Sequence, residues 1–95
     1  MAVQAGAAVA PQRVEPVVLE LQGEGFHAVL AAATGKVLIT NDTGRAVLEL
    51  CDGARSAADI AAEIAGRHPD VPADQIRGDV TAFLDAARDK GVLRW

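Results

Sequence analysis

The apolar residues of this chain change their spacing once, at Asn41, and that switch fixes the class of fold within reach. Upstream of it, apolar and β-branched residues come in short runs. These are Val17-Val18-Leu19-Glu20-Leu21, then Phe26 to Ala32, then Lys36-Val37-Leu38-Ile39-Thr40. Gly23-Glu24-Gly25 ends the first run and Thr34-Gly35 precedes the third. Runs of this kind separated by short glycine-containing links read as strands joined by hairpins. A three-stranded antiparallel sheet is the expectation. The alanines at 31 to 33 have poor strand propensity, so the end of the second strand stays open.

Downstream the period is helical. Asn41, Asp42 or Thr43 can cap a first helix, because each side-chain oxygen can accept from an orphan backbone N–H. Val47, Leu50 and Cys51 follow at helical spacing, and Asp52-Gly53 stops the helix. Ser56-Ala57-Ala58-Asp59 has the form of a capping box, with Asp in place of the usual Glu. A second helix then points Ile60, Ala61 and Ile64 inward and ends at His68-Pro69. Pro72 suits the first turn of a third helix, whose buried face is Ile76, Val80, Phe83, Leu84 and Ala87. Lys90-Gly91 closes it, and Val92-Leu93 can fold back on the core. The whole is an α+β domain, three strands followed by three helices, which is the order of a winged-helix-like module. The domain runs over 16–95. Residues 1–15, rich in Ala and Gly and without periodicity, are expected to form a flexible N-terminal tail.

A chain of 95 residues holds one such domain and leaves little room for a deep cavity. Aromatics are only Phe26, Phe83 and Trp95, so the core must be built from Val, Leu, Ile and Ala. The net charge of −4 and the lack of stacking aromatics argue against nucleic acid as a partner. Cys51 is the single cysteine, which excludes an internal disulfide and fits a cytoplasmic location. The start lacks the basic region of a signal peptide, and no apolar stretch is long enough to span a membrane.

Residues that could carry chemistry are few. His27 and His68 sit on different elements without partners at metal-ligand spacing, so no metal site is expected. Cys51 lies on an apolar helix face, where a thiol behaves as a small hydrophobe. Ser56 is the single serine, and its capping role accounts for it. Asp70, Asp74, Asp79, Asp85 and Asp89 crowd the third helix, mainly on its solvent side. Thr34-Gly35-Lys36 lacks the spacing of a phosphate loop. No catalytic residue and no cofactor are expected.

Two stretches carry a resemblance. They are Lys36-Val37-Leu38-Ile39-Thr40-Asn41-Asp42-Thr43-Gly44 and, most specifically, Leu48-Glu49-Leu50-Cys51-Asp52-Gly53. With Ser56 to Ile64 and Gly91-Val92-Leu93, they make residues 16–94 similar to the PqqD-like family. That resemblance implies a recognition element for ribosomally synthesised, post-translationally modified peptides. Such a domain binds the leader of a precursor peptide as a strand added to the third strand, here Lys36, Val37, Leu38, Ile39 and Thr40, in a groove walled by the third helix. It delivers the peptide to a modifying enzyme, a radical SAM protein or a lasso-peptide protease or cyclase, and does no chemistry itself. A strand at a sheet edge has unpaired N–H and C=O groups that a peptide can complete.

Helical spacing adds Arg77, Thr81, Leu84 and Arg88 as one stripe along a flank of the third helix. If that flank lines the groove, it suits a hydrophobic anchor with acidic neighbours; otherwise both arginines pair with nearby Asp. The competing function is a winged-helix DNA-binding or regulatory interaction domain. Four Asp on the third helix, at 74, 79, 85 and 89, oppose docking to phosphates.

Overall fold

The computed structural model describes residues 8–14, 17–31 and 34–95. It is an α+β fold with three helices and small antiparallel sheets. The elements in order are β1 (Gln12–Arg13), β2 (Val17–Gly23), β3 (Phe26–Ala31), β4 (Val37–Thr40), α1 (Asp42–Leu50), α2 (Ala57–Arg67), α3 (Ala73–Asp89) and β5 (Leu93–Arg94). β2, β3 and β4 pair in that order, and β1 pairs with β5. The strand expected at Lys36–Thr40 is β4. The strand expected from Phe26 ends at Ala31, and Ala32 and Ala33 lie outside the described residues.

The local signals explain the helix ends. Asn41 Oδ1 accepts from the Gly44 amide at 2.9 Å, which makes Asn41 the cap of α1. Ser56 Oγ accepts from the Asp59 amide at 3.1 Å and Asp59 Oδ2 accepts from the Ser56 amide at 3.4 Å, a complete capping box. Gly53 and Gly91, at φ +80° and +84°, turn the chain out of α1 and α3 in the left-handed region that only glycine enters cheaply. Between α1 and α2, Asp52 Oδ1 accepts from the amides of Ala54 and Arg55, and those bonds hold its carboxyl below its ordinary pKa.

The core lies between the inner face of the sheet and the three helices. Val29 and Leu38 meet Val47, Leu48 and Cys51 of α1 and its end, Ile60 and Ile64 of α2, and Ile76, Val80, Leu84 and Ala87 of α3. Leu93 closes one end. Because side chains alternate along a strand, Phe26, Val37 and Ile39 stay exposed while His27 and Leu38 are buried.

Two expectations need correction. Part of the tail expected at 1–15 is built into the fold, and residues 1–7 lie outside the described residues. Pro11 is fully buried, and Gln12 and Arg13 stand opposite Arg94 and Leu93 in register. Val9 O accepts from the Ala57 amide, Pro11 O from the Gly53 amide and Cys51 O from the Arg13 amide. A two-residue strand has no period to detect; it is held by partners distant in sequence. The second correction concerns Leu84 and Phe83. The spacing places both on the buried face of α3 and Leu84 also on the flank stripe; Leu84 is fully buried and not open on that flank, whereas Phe83 is only half-buried. At about 100° per residue, Phe83 and Leu84 stand on opposite margins of the face centred on Ile76, Val80 and Ala87. The packing partners, not the spacing, decide which margin is covered.

Candidate functional site

β4 is the last strand of its sheet, and its backbone polarity can be worked out residue by residue. The Ala31 amide donates to Lys36 O at 2.9 Å. Leu30 stands opposite Val37, Val29 opposite Leu38, Ala28 opposite Ile39 and His27 opposite Thr40. Hydrogen-bonded and non-bonded pairs alternate along an antiparallel ladder. The N–H and C=O of Leu38 and Thr40 therefore face β3, and those of Val37 and Ile39 face outward. Among the described residues no strand pairs with this outer edge. Val37 is 45% exposed and Ile39 68%, so side chains as well as amides are open at these two positions.

α3 comes close to β4 at both ends of the strand. At one corner, the Thr34 hydroxyl donates to Lys90 O and accepts from the Lys36 amide. That hydroxyl ties the end of α3 to the start of β4. Further along, Thr40, Gly44 and Phe83 meet so closely that a Cβ at Gly44 would lie 1.8 Å from Thr40 Oγ1 and 2.9 Å from Phe83 Cε1. Here opens a cleft of about 380 Å³, with Val47, Val71, Val80 and Phe83 as its apolar lining and Thr40, Asn41, Gln75, Asp79 and His68 as its polar one. His68, the residue that ends α2, contributes to this wall. His27 does not; it is buried, and its Nε2 lies 2.7 Å from Asp42 Oδ1, tying β3 to the first turn of α1.

Of the residues expected to form the site, the structure brings Thr40 to the cleft and sets Lys36, Val37 and Ile39 along the open edge. Leu38 points into the core. The α3 stripe goes elsewhere. Arg77 and Thr81 line a shallow groove of about 260 Å³ against Ala57, Ala58, Ala61 and Ala62 of α2. Arg77 Nη2 donates to Asp74 Oδ1 at 2.8 Å. Arg88 lies over the Trp95 ring, its guanidinium carbon 4.7 Å from the centroid. Leu84 is in the core. The cleft beside β4 is walled instead by Gln75, Asp79 and Phe83, on the other margin of α3. Spacing alone could have marked this stripe too, because Asp79, Phe83, Ala86 and Lys90 recur at i, i+4, i+7 and i+11.

Among the described residues, no three His, Cys, Asp or Glu side chains are grouped to hold a metal ion, and no helix is long and apolar enough to cross a membrane. Cys51 is buried, and burial pushes its thiol up to about 12.

Comparison with known proteins gives a family and a relative. A protein described as PqqA binding protein, from Bradyrhizobium diazoefficiens, is 36% identical over 61 residues, 64% of this chain and 58% of that protein. The match thus spans little more than half of that relative's length. No solved structure matches. The family described as Coenzyme PQQ synthesis protein D matches residues 27–93, from the buried histidine of β3 to the first residue of β5. The chain belongs to the PqqD family.

Proposed function

We propose that this chain is a non-catalytic, cytoplasmic recognition domain with a winged-helix-like arrangement. It binds the leader segment of a ribosomally synthesised precursor peptide and delivers it to a modifying enzyme of the radical SAM or lasso type. The leader docks as an added strand on β4, and its side chains enter the cleft against α3. The observation that carries this reading is the open edge of β4, where the outward amides and carbonyls of Val37 and Ile39 lead to a partly apolar cleft that opens at Thr40, in a chain of this family. Backbone hydrogen bonds supply affinity in such strand addition, and pockets for alternate side chains supply choice. The name of the Bradyrhizobium relative points to the same class of ligand. Duplex DNA is the poorer partner, since α3 presents Asp74, Asp79 and Asp89 to solvent.

The test is calorimetry with the precursor peptide encoded beside the gene, together with hydrogen exchange. Binding with new amide protection at Val37 and Ile39, and no turnover of the peptide, is the expected result. Protection confined to α1 or α2, or no heat at high concentration, overturns the reading.

A further inference from the structure

The charges beside β4 are sorted along its length, and the fold leaves them without side-chain partners. Every arginine among the described residues is engaged. Arg45, Arg55, Arg67 and Arg77 pair with Glu49, Asp52, Glu63 and Asp74. Arg13 donates to α1 carbonyls, Arg88 covers Trp95 and Arg94 reaches Gln12. By contrast, Lys36, Lys90 and Asp79 have no side-chain partner among the described residues. Lys36 and Lys90 are the two lysines of the chain, and the Thr34 hydroxyl holds their backbones at one corner. Asp79 lies in the cleft at the other end, with Thr40 and Asn41. Phe83 sits between them on the same stripe of α3. The channel, meaning the strip between the open edge of β4 and α3, is therefore positive at the start of β4, has Phe83 in the middle and is negative at its end, where the cleft opens.

Resting on the strand-addition reading above, we propose that this channel selects its peptide by charge order: a basic residue, an apolar anchor, then an acidic residue, from N- to C-terminus. The direction follows from antiparallel pairing with β4, the mode of every pair in these sheets and the slightly more stable one. A peptide antiparallel to β4 begins at the Thr40 end, beside Asp79, and finishes beside Lys36 and Lys90. The spacing follows from the helix. Asp79 to Phe83 is about 6 Å along the axis and Phe83 to Lys90 about 10 Å, at roughly 1.5 Å per residue. A strand rising about 3.4 Å per residue covers these in about two and about three residues. This reverses the expectation of acidic neighbours on both sides of the anchor, because Arg77 and Arg88 face away from the channel.

The test uses the full chain, labelled with ¹⁵N, and three synthetic nonapeptides built on one Thr/Val framework with a central Leu. One carries Lys before the Leu and Glu after it, one the reverse order, and one Gln at both places. Amide shifts in titrations at low salt give the affinities. The Lys-first peptide is expected to bind about three- to tenfold tighter than the Glu-first peptide, with the Gln peptide between them, since exposed pairs are individually weak. The gap should close at about 0.5 M salt through screening. A variant with Lys36→Glu, Lys90→Glu and Asp79→Lys should invert the order, and Asp79→Lys alone should narrow the gap. Equal affinities at low salt, or an unchanged order in the charge-swapped variant, overturn the charge-order proposal while strand addition stands. If none of the three peptides shifts Val37 or Ile39, strand addition fails and takes this proposal with it.

Discussion

Arg13 reaches from β1 to the end of α1, where its Nη1 donates to the carbonyl of Leu48 at 2.8 Å and also to that of Glu49 at 2.9 Å. The last carbonyls of a helix lack their full set of partners, so the guanidinium adds a second donor to Leu48 O, which also accepts from the Cys51 amide, and supplies one to Glu49 O. Arg13→Ala is expected to lower stability by about 1.5–2 kcal/mol, at the lower end of the range for charged hydrogen bonds because the side chain is partly exposed. Denaturant midpoints measure it. Arg13→Lys should recover part of the loss, because an ammonium can still donate but cannot match the planar fork. Unchanged midpoints for both variants would remove the strap from the account of stability.

Cys51 gives a pH dependence with a definite sign. Its thiol donates to Val47 O at 3.2 Å inside the core, and burial raises its pKa from 9.0 to about 12. In the unfolded chain the thiol loses its proton near the ordinary value while the folded chain keeps it. The contribution is fully present below pH 9 and is lost as pH rises toward 12. Stability should fall there by up to about 1.4 kcal/mol per pH unit from this group. Comparing the alkaline unfolding of wild type and Cys51→Ala isolates it. Parallel curves would show that the thiol does not titrate differently on folding. The same burial predicts slow alkylation of the native protein near neutral pH and fast alkylation once it unfolds.

Gly44 is fixed by what surrounds it. Alanine there gains about 1 kcal/mol of helix propensity, but its Cβ would collide with Thr40 Oγ1 and press on Phe83. Gly44→Ala is expected to cost about 1–3 kcal/mol net, as overpacked sites do. Thr40→Ala removes the nearer of the two obstacles. The double variant should then be more stable than the sum of the single changes by at least about 0.5 kcal/mol. Thermal unfolding of the four proteins gives that coupling, and an additive result would show that the three residues do not share one packed point.

Much of the fold was legible because its signals are local. The Asn41 and Ser56 caps, the stops at Gly53 and Gly91 and the strand before Asn41 each depend on a few adjacent residues. The site was legible only on its strand side. Val37 and Ile39 share an alternation that any reading of the strand reveals, although that both turn their amides outward, while Leu38 and Thr40 turn theirs to β3, needs the register with β3. The helix side failed on Phe83 and Leu84. Both are apolar neighbours at the two edges of one face, and nothing in α3 itself says that α2 packs beside Leu84 while β4 and α1 lie beside Phe83. The strap at Val9 to Arg13 was missed for a related reason. Its bonds run to Cys51, Gly53, Ala57 and Arg94, so no local pattern records them.

Phe83 with Leu84 and Leu38 with Ile39 give the sharpest prediction, because in each pair of neighbours one residue belongs to the core and the other to the site. Leu84 is fully buried, so Leu84→Ala should cost about 2–5 kcal/mol of stability. Phe83 is half-buried at the cleft, so Phe83→Ala should cost less stability and weaken peptide binding more. On β4, Leu38 turns its amide to β3 and its side chain to the core, so Leu38→Pro should unfold the strand. Ile39 turns its amide outward, so Ile39→Pro removes a donor that the fold does not use. Its fixed φ suits an edge position, and the variant should fold and lose most peptide affinity. Circular dichroism and peptide titration on the four variants separate the two properties. If Ile39→Pro folds and binds like wild type, the peptide does not pair with this edge.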